Sequence, residues 1–218
     1  MSDRRLTVPG ARPRANLAAF VTRLLRTDDS AVVRVRRRDD DHVEVWGRTG
    51  FGVLVVRVLT GTVAPESLVC SATTVLDSLR EDPAGDRQHA GGYVDVGFAL
   101  DSAWRGALPP ATGFVTVDEV PARALRDVAA RGVEVGREAG GPAGPPASLL
   151  DSEVVSVSSG ETTVPIALRT AFALEAMGFA ADGADEPVRV SASATWVRVD
   201  ARYGSLYQRR ESGPGLLV

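Results

Sequence analysis

The stretch from Val164 to Arg210, VPIALRTAFALEAMGFAADGADEPVRVSASATWVRVDARYGSLYQRR, decides the reading of the fold, because its order of features occurs again towards the other end of the chain. It runs as a helical pattern (Pro165 to Phe179), a polar loop, Val188-Arg189-Val190, a short turn, Thr195 to Val199, and Tyr203-Gly204-Ser205-Leu206 closing on Arg209. The earlier copy keeps that order: a helical pattern from Leu17 to Leu25, a polar loop, Val33-Arg34-Val35, a turn, His42 to Trp46, and Phe51-Gly52-Val53-Leu54 closing on Arg57. Phe20 and Phe172, Phe51 and Tyr203, Leu54 and Leu206, and Arg57 and Arg209 are each 152 residues apart. A longer loop in the second copy displaces Val33 and Val188 to 155, and the longer turn Arg36 to Asp41 in the first restores the register. Such a repeat implies two related units, each a helix followed by a β-meander.

Working outward, Leu17, Phe20, Val21, Leu24 and Leu25 fall on one helical face, with Asn16 placed to cap it. The acids and arginines of Arg36 to Asp41 suit the solvated tip of a hairpin, and the Val- and Leu-rich run from Gly52 to Leu59 suits a strand buried on both faces. Ala72, Val75, Leu76 and Leu79 predict a second helix capped by Ser71 and stopped by Pro83. Tyr93 to Leu100 alternates loosely, Phe114 to Val117 reads as a strand, and Pro121 opens a helix expected to end at Gly132. Val154 to Val157 reads as a strand, after which Thr163 is placed to cap the helix that starts at Pro165.

The expected class is α+β, with short-stranded mixed or antiparallel sheets and three to four packed helices. The divisions are a flexible lead-in (1–13) in which only Leu6 to Val8 could pair, an N-terminal α+β unit (14–138), a Gly/Pro/Ala linker (139–147), a C-terminal helix-plus-meander unit (148–210) and a tail (211–218). The linker is the expected main boundary.

Composition excludes several classes. The 218 residues are 44% hydrophobic and 24% charged, which is ordinary for a globular chain. All 25 basic residues are arginine, Ile166 is the single isoleucine and Asn16 the single asparagine; these absences share AT-rich codons and point to a GC-rich genome. A net charge of −3 argues against a protein that coats nucleic acid or an anionic membrane, while leaving room for a local basic patch. One cysteine, Cys70, permits no internal disulfide, and neither a signal peptide nor a membrane-spanning run is evident, so a cytoplasmic location is expected.

Without lysine there is no phosphate-binding loop of the Gly-x-x-x-x-Gly-Lys type, and no Gly-x-Ser-x-Gly elbow occurs. Gly50-Phe51-Gly52 lacks the third glycine and the helix of a dinucleotide fingerprint. His42 and His89 are too few for a histidine metal site, and Asp39-Asp40-Asp41-His42 does not converge as spaced ligands do. Cys70 precedes a helix, where a thiol can be acidified, or it is a small buried hydrophobe. No cofactor is expected.

The binding candidates are aromatic and arginine residues on the two meanders, namely Trp46, Arg48 and Arg57 in one copy and Trp196, Arg202, Tyr203 and Arg209 in the other. These could stack bases and hold phosphates, or be core rings under arginine stems. The helix, Gly178-Phe179, loop and two-strand order of the second copy resembles the recognition helix and wing of a winged-helix module. Trp104 and Arg105, followed by Gly106, Pro109 and Pro110, form a rigid loop suited to a protein partner or to capping the core. The leading expectation is a non-enzymatic adaptor with a protein partner or a homodimer. The alternatives are a nucleic-acid-binding protein and a small-molecule enzyme or sensor with a pocket between the units.

Overall fold

The computed structural model describes residues 4–84, 91–139, 145–160, 162–181 and 186–210. The chain forms two compact units, Met1–Ala107 and Leu108–Val218. In the first, β1 (Arg5–Thr7) leads to α1 (Ala11–Thr27) and a meander of β2 (Val32–Arg37), β3 (His42–Arg48) and β4 (Leu54–Thr60). It continues through β5 (Thr62–Ala64), β6 (Ser67–Ser71), α2 (Ala72–Glu81), β7 (Tyr93–Val94) and a 3₁₀ turn (Asp101–Ala103). The second unit has β8 (Val115–Pro121), α3 (Ala122–Ala139), the short α4 (Ala147–Leu150), β9 (Glu153–Ser159), β10 (Thr162–Ala167), α5 (Leu168–Met177), β11 (Pro187–Ala192), β12 (Trp196–Ala201) and β13 (Gly204–Arg209).

All described strand pairs within each unit are antiparallel, so the α+β class holds. The expected repeat of helix and meander is the pair α1-β2-β3-β4 and α5-β11-β12-β13, and the structure adds a strand before each helix, β1 and β10, that opens the repeat. In each unit a further strand closes the meander, β6 beside β2 and β8 beside β11. A helix follows that strand, α2 packing on α1 and α3 on α5. The next strand pairs with the one that opens the repeat, β7 with β1 and β9 with β10. The units share one layout in permuted order: strand–helix–strand comes last in the first unit and first in the second.

That permutation explains why the boundary lies at Ala107/Leu108 and not in the 139–147 segment. β8 and α3 precede that segment, yet their sheet and helix partners, β11 and α5, follow it. Residues 140–144 of the expected linker lie outside the described residues, as does the 211–218 tail.

The core of the first unit uses the predicted apolar face, with Leu17, Phe20, Val21 and Leu24 all buried, and Leu54, Val55 and Val56 buried in succession. Three boundaries differ from expectation. α1 begins at Ala11, so Asn16 is inside the helix, where its Oδ1 accepts from Arg57 Nη2 at 3.2 Å. Pro165 lies in β10 opposite Ser156, and α5 starts only at Leu168; Thr163 to Ile166 alternates exposed and buried residues, a strand signal that the helical reading absorbed. Thr163 therefore pairs by its hydroxyl with Ser158 at 2.9 Å and caps nothing.

α3 runs through Gly132 instead of ending there. A Cβ at that position would lie 2.7 Å from Leu168 Cδ1 and 3.0 Å from Phe172 Cζ, so the glycine is a contact surface for α5 and not a cap. Ser71 does cap α2, its hydroxyl accepting from the Thr74 N–H. Among the described residues no helix is long and apolar enough to cross a membrane.

Candidate partner-binding cleft and arginine-lined helix

β3 ends at Arg48, and the chain reverses through Thr49 to Val53. The Thr49 N–H donates to the Val53 carbonyl at 3.0 Å and the Gly52 N–H to the Thr49 carbonyl at 2.8 Å. Gly52 sits at φ 79°, a left-handed conformation that disfavours any side chain. The turn is seated against the end of α1, where the Gly50 N–H donates to Thr27 Oγ1 at 3.2 Å. Arg48 Nη1 reaches back to the Gly52 carbonyl at 3.2 Å, which leaves the guanidinium over the turn.

Across from Arg48 lies the 3₁₀ turn and the residues after it. The Trp104 N–H donates to the Asp101 carbonyl at 3.3 Å, and Asp101 is held by Arg4 at 3.7 Å. Trp104 is half-buried, and its Nε1–H has no acceptor among the described residues. Arg48, Trp104 and Arg105, with Asp28, Ser30 and Val32, line a cleft of about 290 Å³. Asp28 is committed locally, since its Oδ1 accepts from the Ser30 N–H (3.0 Å) and hydroxyl (2.7 Å). Arg48 and Arg105 are exposed and have no carboxylate partner among the described residues. The cleft unites candidates that in the sequence belong to separate groups, one on a meander and one on a loop.

The other candidates have structural surroundings. Trp46 is 3% exposed and donates from Nε1 to Glu44 Oε2 at 3.0 Å, the same oxygen that receives Arg36. Arg57 ties β4 to α1 through Asn16. Trp196 is buried under Arg209, whose Cζ lies 5.2 Å from the ring centroid. Arg202 lies 5.9 Å from the Tyr203 ring centroid and pairs with Glu186 at 3.8 Å. Arginine stems over rings that belong to the core account for Trp196.

Cys70 is buried in β6, and burial pushes its thiol up to about 12, the opposite of activation. At the hairpin tip His42 Nδ1 lies 2.8 Å from Asp39, and that hydrogen bond holds the Asp39 carboxyl below the usual range. Among the described residues no group of three His, Cys, Asp or Glu could hold a metal ion.

Sequence reading passed over α1 as a surface. Arg12, Arg23 and Arg26 fall within about 60° of one another at ~100° per residue, on the side away from buried Leu17 and Leu24, with Ala15 and Ala19 between them. The stripe extends about 21 Å, and α1 carries no acidic residue. The periodicity that found the buried face also marks its opposite.

Residues 1–106 match a domain of unknown function (DUF8010), and residues 109–213 match a second domain of unknown function (DUF8185). No curated protein is similar in sequence. Solved structures similar in fold include three that illustrate the likeness. A protein assigned as a DNA polymerase III beta subunit in Eubacterium rectale is 8% identical, with a TM-score of 0.63 over 98% of this chain. The DNA polymerase sliding clamp of Bacillus subtilis is 15% identical with a TM-score of 0.59, and the DNA polymerase beta subunit of Streptococcus pyogenes 11% identical with 0.57, each over 97% of this chain. This chain spans 66% of the length of each of the three. The shared property is the fold, in which the internal repeat has its place.

Proposed function

We propose that this protein is a non-enzymatic, clamp-type adaptor that associates with DNA through α1 and holds a segment of a second protein in the Trp104 cleft. The cleft carries the reading. It is lined by two guanidiniums, Arg48 and Arg105, with no carboxylate partner among the described residues, and by the indole of Trp104, a set suited to an extended segment bearing an aspartate or glutamate next to a leucine or phenylalanine.

The fold common to DNA polymerase sliding clamps supports the DNA half, and so does the α1 stripe. Three arginines with small residues between them allow close approach to a phosphate backbone, which suits sequence-independent association.

The test is a fluorescence-anisotropy titration with two probes, a labelled DNA duplex and a labelled peptide alternating aspartate with leucine and phenylalanine. Peptide binding lost in Arg48→Glu/Arg105→Glu, and duplex binding that weakens with salt, support the proposal. A wild-type protein that binds neither probe at low salt overturns it.

A further inference from the structure

The second unit holds a cleft of about 380 Å³ that neither the partner reading nor the α1 stripe uses. Small-molecule sites span roughly 300–1,000 Å³, so the space suits a compact ligand. β8 builds one wall by breaking its own alternation. Asp118 pairs with Val190 and Thr116 with Ser191, which leaves Val117 as an extra residue without a β11 partner. Across this bulge three successive residues, Val115, Thr116 and Val117, line one cleft, which the period of two in a regular strand forbids.

The polar groups of the cleft are donors to spare. Arg210 Nη1 donates to the Ser193 carbonyl at 3.0 Å and the Arg210 N–H to the Thr195 carbonyl at 2.9 Å, so the residue is fixed on the turn between β11 and β12. Its guanidinium is half-buried and has no carboxylate partner among the described residues, and none of those that line the cleft is acidic. Ser159 and Thr162, paired across the turn between β9 and β10, and Thr116 add exposed hydroxyls that hydrogen-bond to nothing among the described residues. Beside them Val115 is 73% exposed, an apolar surface next to a cation.

A guanidinium alone satisfies both oxygens of a carboxylate, whereas a guanidinium with three hydroxyls matches the larger acceptor set of a phosphate. We propose that this cleft binds a small phosphate monoester. The phosphate is held by Arg210 and by the hydroxyls of Thr116, Ser159 and Thr162, and the aliphatic ester group lies on Val115 and Val117. None of these residues belongs to the Trp104 cleft or to α1, so the site stands independently of the adaptor reading.

Isothermal titration calorimetry on the purified full chain tests the site with butyl phosphate, inorganic phosphate and butanoate, each to ~10 mM so that millimolar affinity registers. Butyl phosphate should bind about tenfold more tightly than either other probe, since one lacks the apolar group and the other the phosphate. Arg210→Met should weaken butyl phosphate by about tenfold or more, and Thr116→Val, at an exposed strand position that valine suits, by about threefold. Arg48→Glu/Arg105→Glu should bind it as the wild type does, which separates failure here from failure of the partner cleft. No heat with butyl phosphate, an affinity equal to that of either other probe, or unchanged binding by both Arg210→Met and Thr116→Val would overturn the proposal.

Discussion

Arg14 Nε and Nη2 both donate to the carbonyl oxygen of Asp82, at 3.0 and 2.7 Å, so one turn of α1 is tied to the C-terminal end of α2. Nη1 of the same guanidinium donates to the carbonyls of Gly92 (3.0 Å) and Tyr93 (3.1 Å), and the side chain is 1% exposed. The three carbonyl groups belong to the end of α2 and the start of β7, and one cation satisfies them all. Arg14→Met keeps the buried stem and removes the donors. It should destabilise the first unit by about 2–4 kcal/mol in urea unfolding, the cost of several buried acceptors left without partners.

Gly132 and Leu168 are in closer contact than a methyl group allows. Gly132→Ala should cost about 1–3 kcal/mol by overpacking, even though alanine is the better helix former. In the Leu168→Ala background the added methyl gains room and the penalty should shrink or vanish. A double-mutant cycle of thermal unfolding checks this: a coupling near zero would mean that α3 and α5 do not meet there.

The buried Cys70 thiol should not react with a disulfide reagent until the protein unfolds. In the unfolded chain it ionises near ~8.5, whereas in the folded protein it keeps its proton up to about 12. Its contribution to stability is therefore fully present below the unfolded value. Between the two values only the unfolded state releases the proton, and stability falls by about 1.4 kcal/mol per pH unit as pH rises. Cys70→Ala should flatten the unfolding free energy between pH 9 and ~10.5, after allowance for its constant packing cost.

Replacing Arg12, Arg23 and Arg26 together with serine should weaken duplex binding regardless of sequence. The slope of log K against log salt should fall in magnitude by about 2.7 if all three touch phosphate, at ~0.9 for each contact. Trp104→Ala should reduce affinity for the acidic peptide by about tenfold or more while leaving the salt slope for DNA unchanged. Parallel titrations of the two variants separate the surfaces.

The meanders were legible because each strand of β2-β3-β4 and β11-β12-β13 is adjacent in sequence to the one it pairs with, and period-two burial marks β2 and the first parts of β3 and β11. The pairing of β8 with β11 left no local sign, since Val120 and Val188 are opposite each other in space but 68 residues apart. This is why the 139–147 segment, rich in turn residues, looked like a boundary. Arg48 and Trp104 were visible as residue types suited to binding, but their convergence depends on the turn at Thr49 and on a loop more than 50 residues away. Tyr93 to Leu100 alternates loosely in sequence, yet only Tyr93 and Val94 form a strand, and Phe98 lies on a loop outside any regular element. The α1 stripe was legible in principle, as the complement of a face already found.

The permuted layout sets an order of events during synthesis. In the first unit the closing strand pairs Ser71 with Val32, 39 residues back, so the four-stranded sheet can form as soon as β6 has been made. In the second, Val115 pairs with Ala192, 77 residues ahead, and α3 must wait for α5. The growing chain therefore carries a finished first unit while β8 and α3, with Leu125 and Ala129 still uncovered, await their partners. The interval between the making of α3 and of β11 is when the nascent protein has most need of a chaperone.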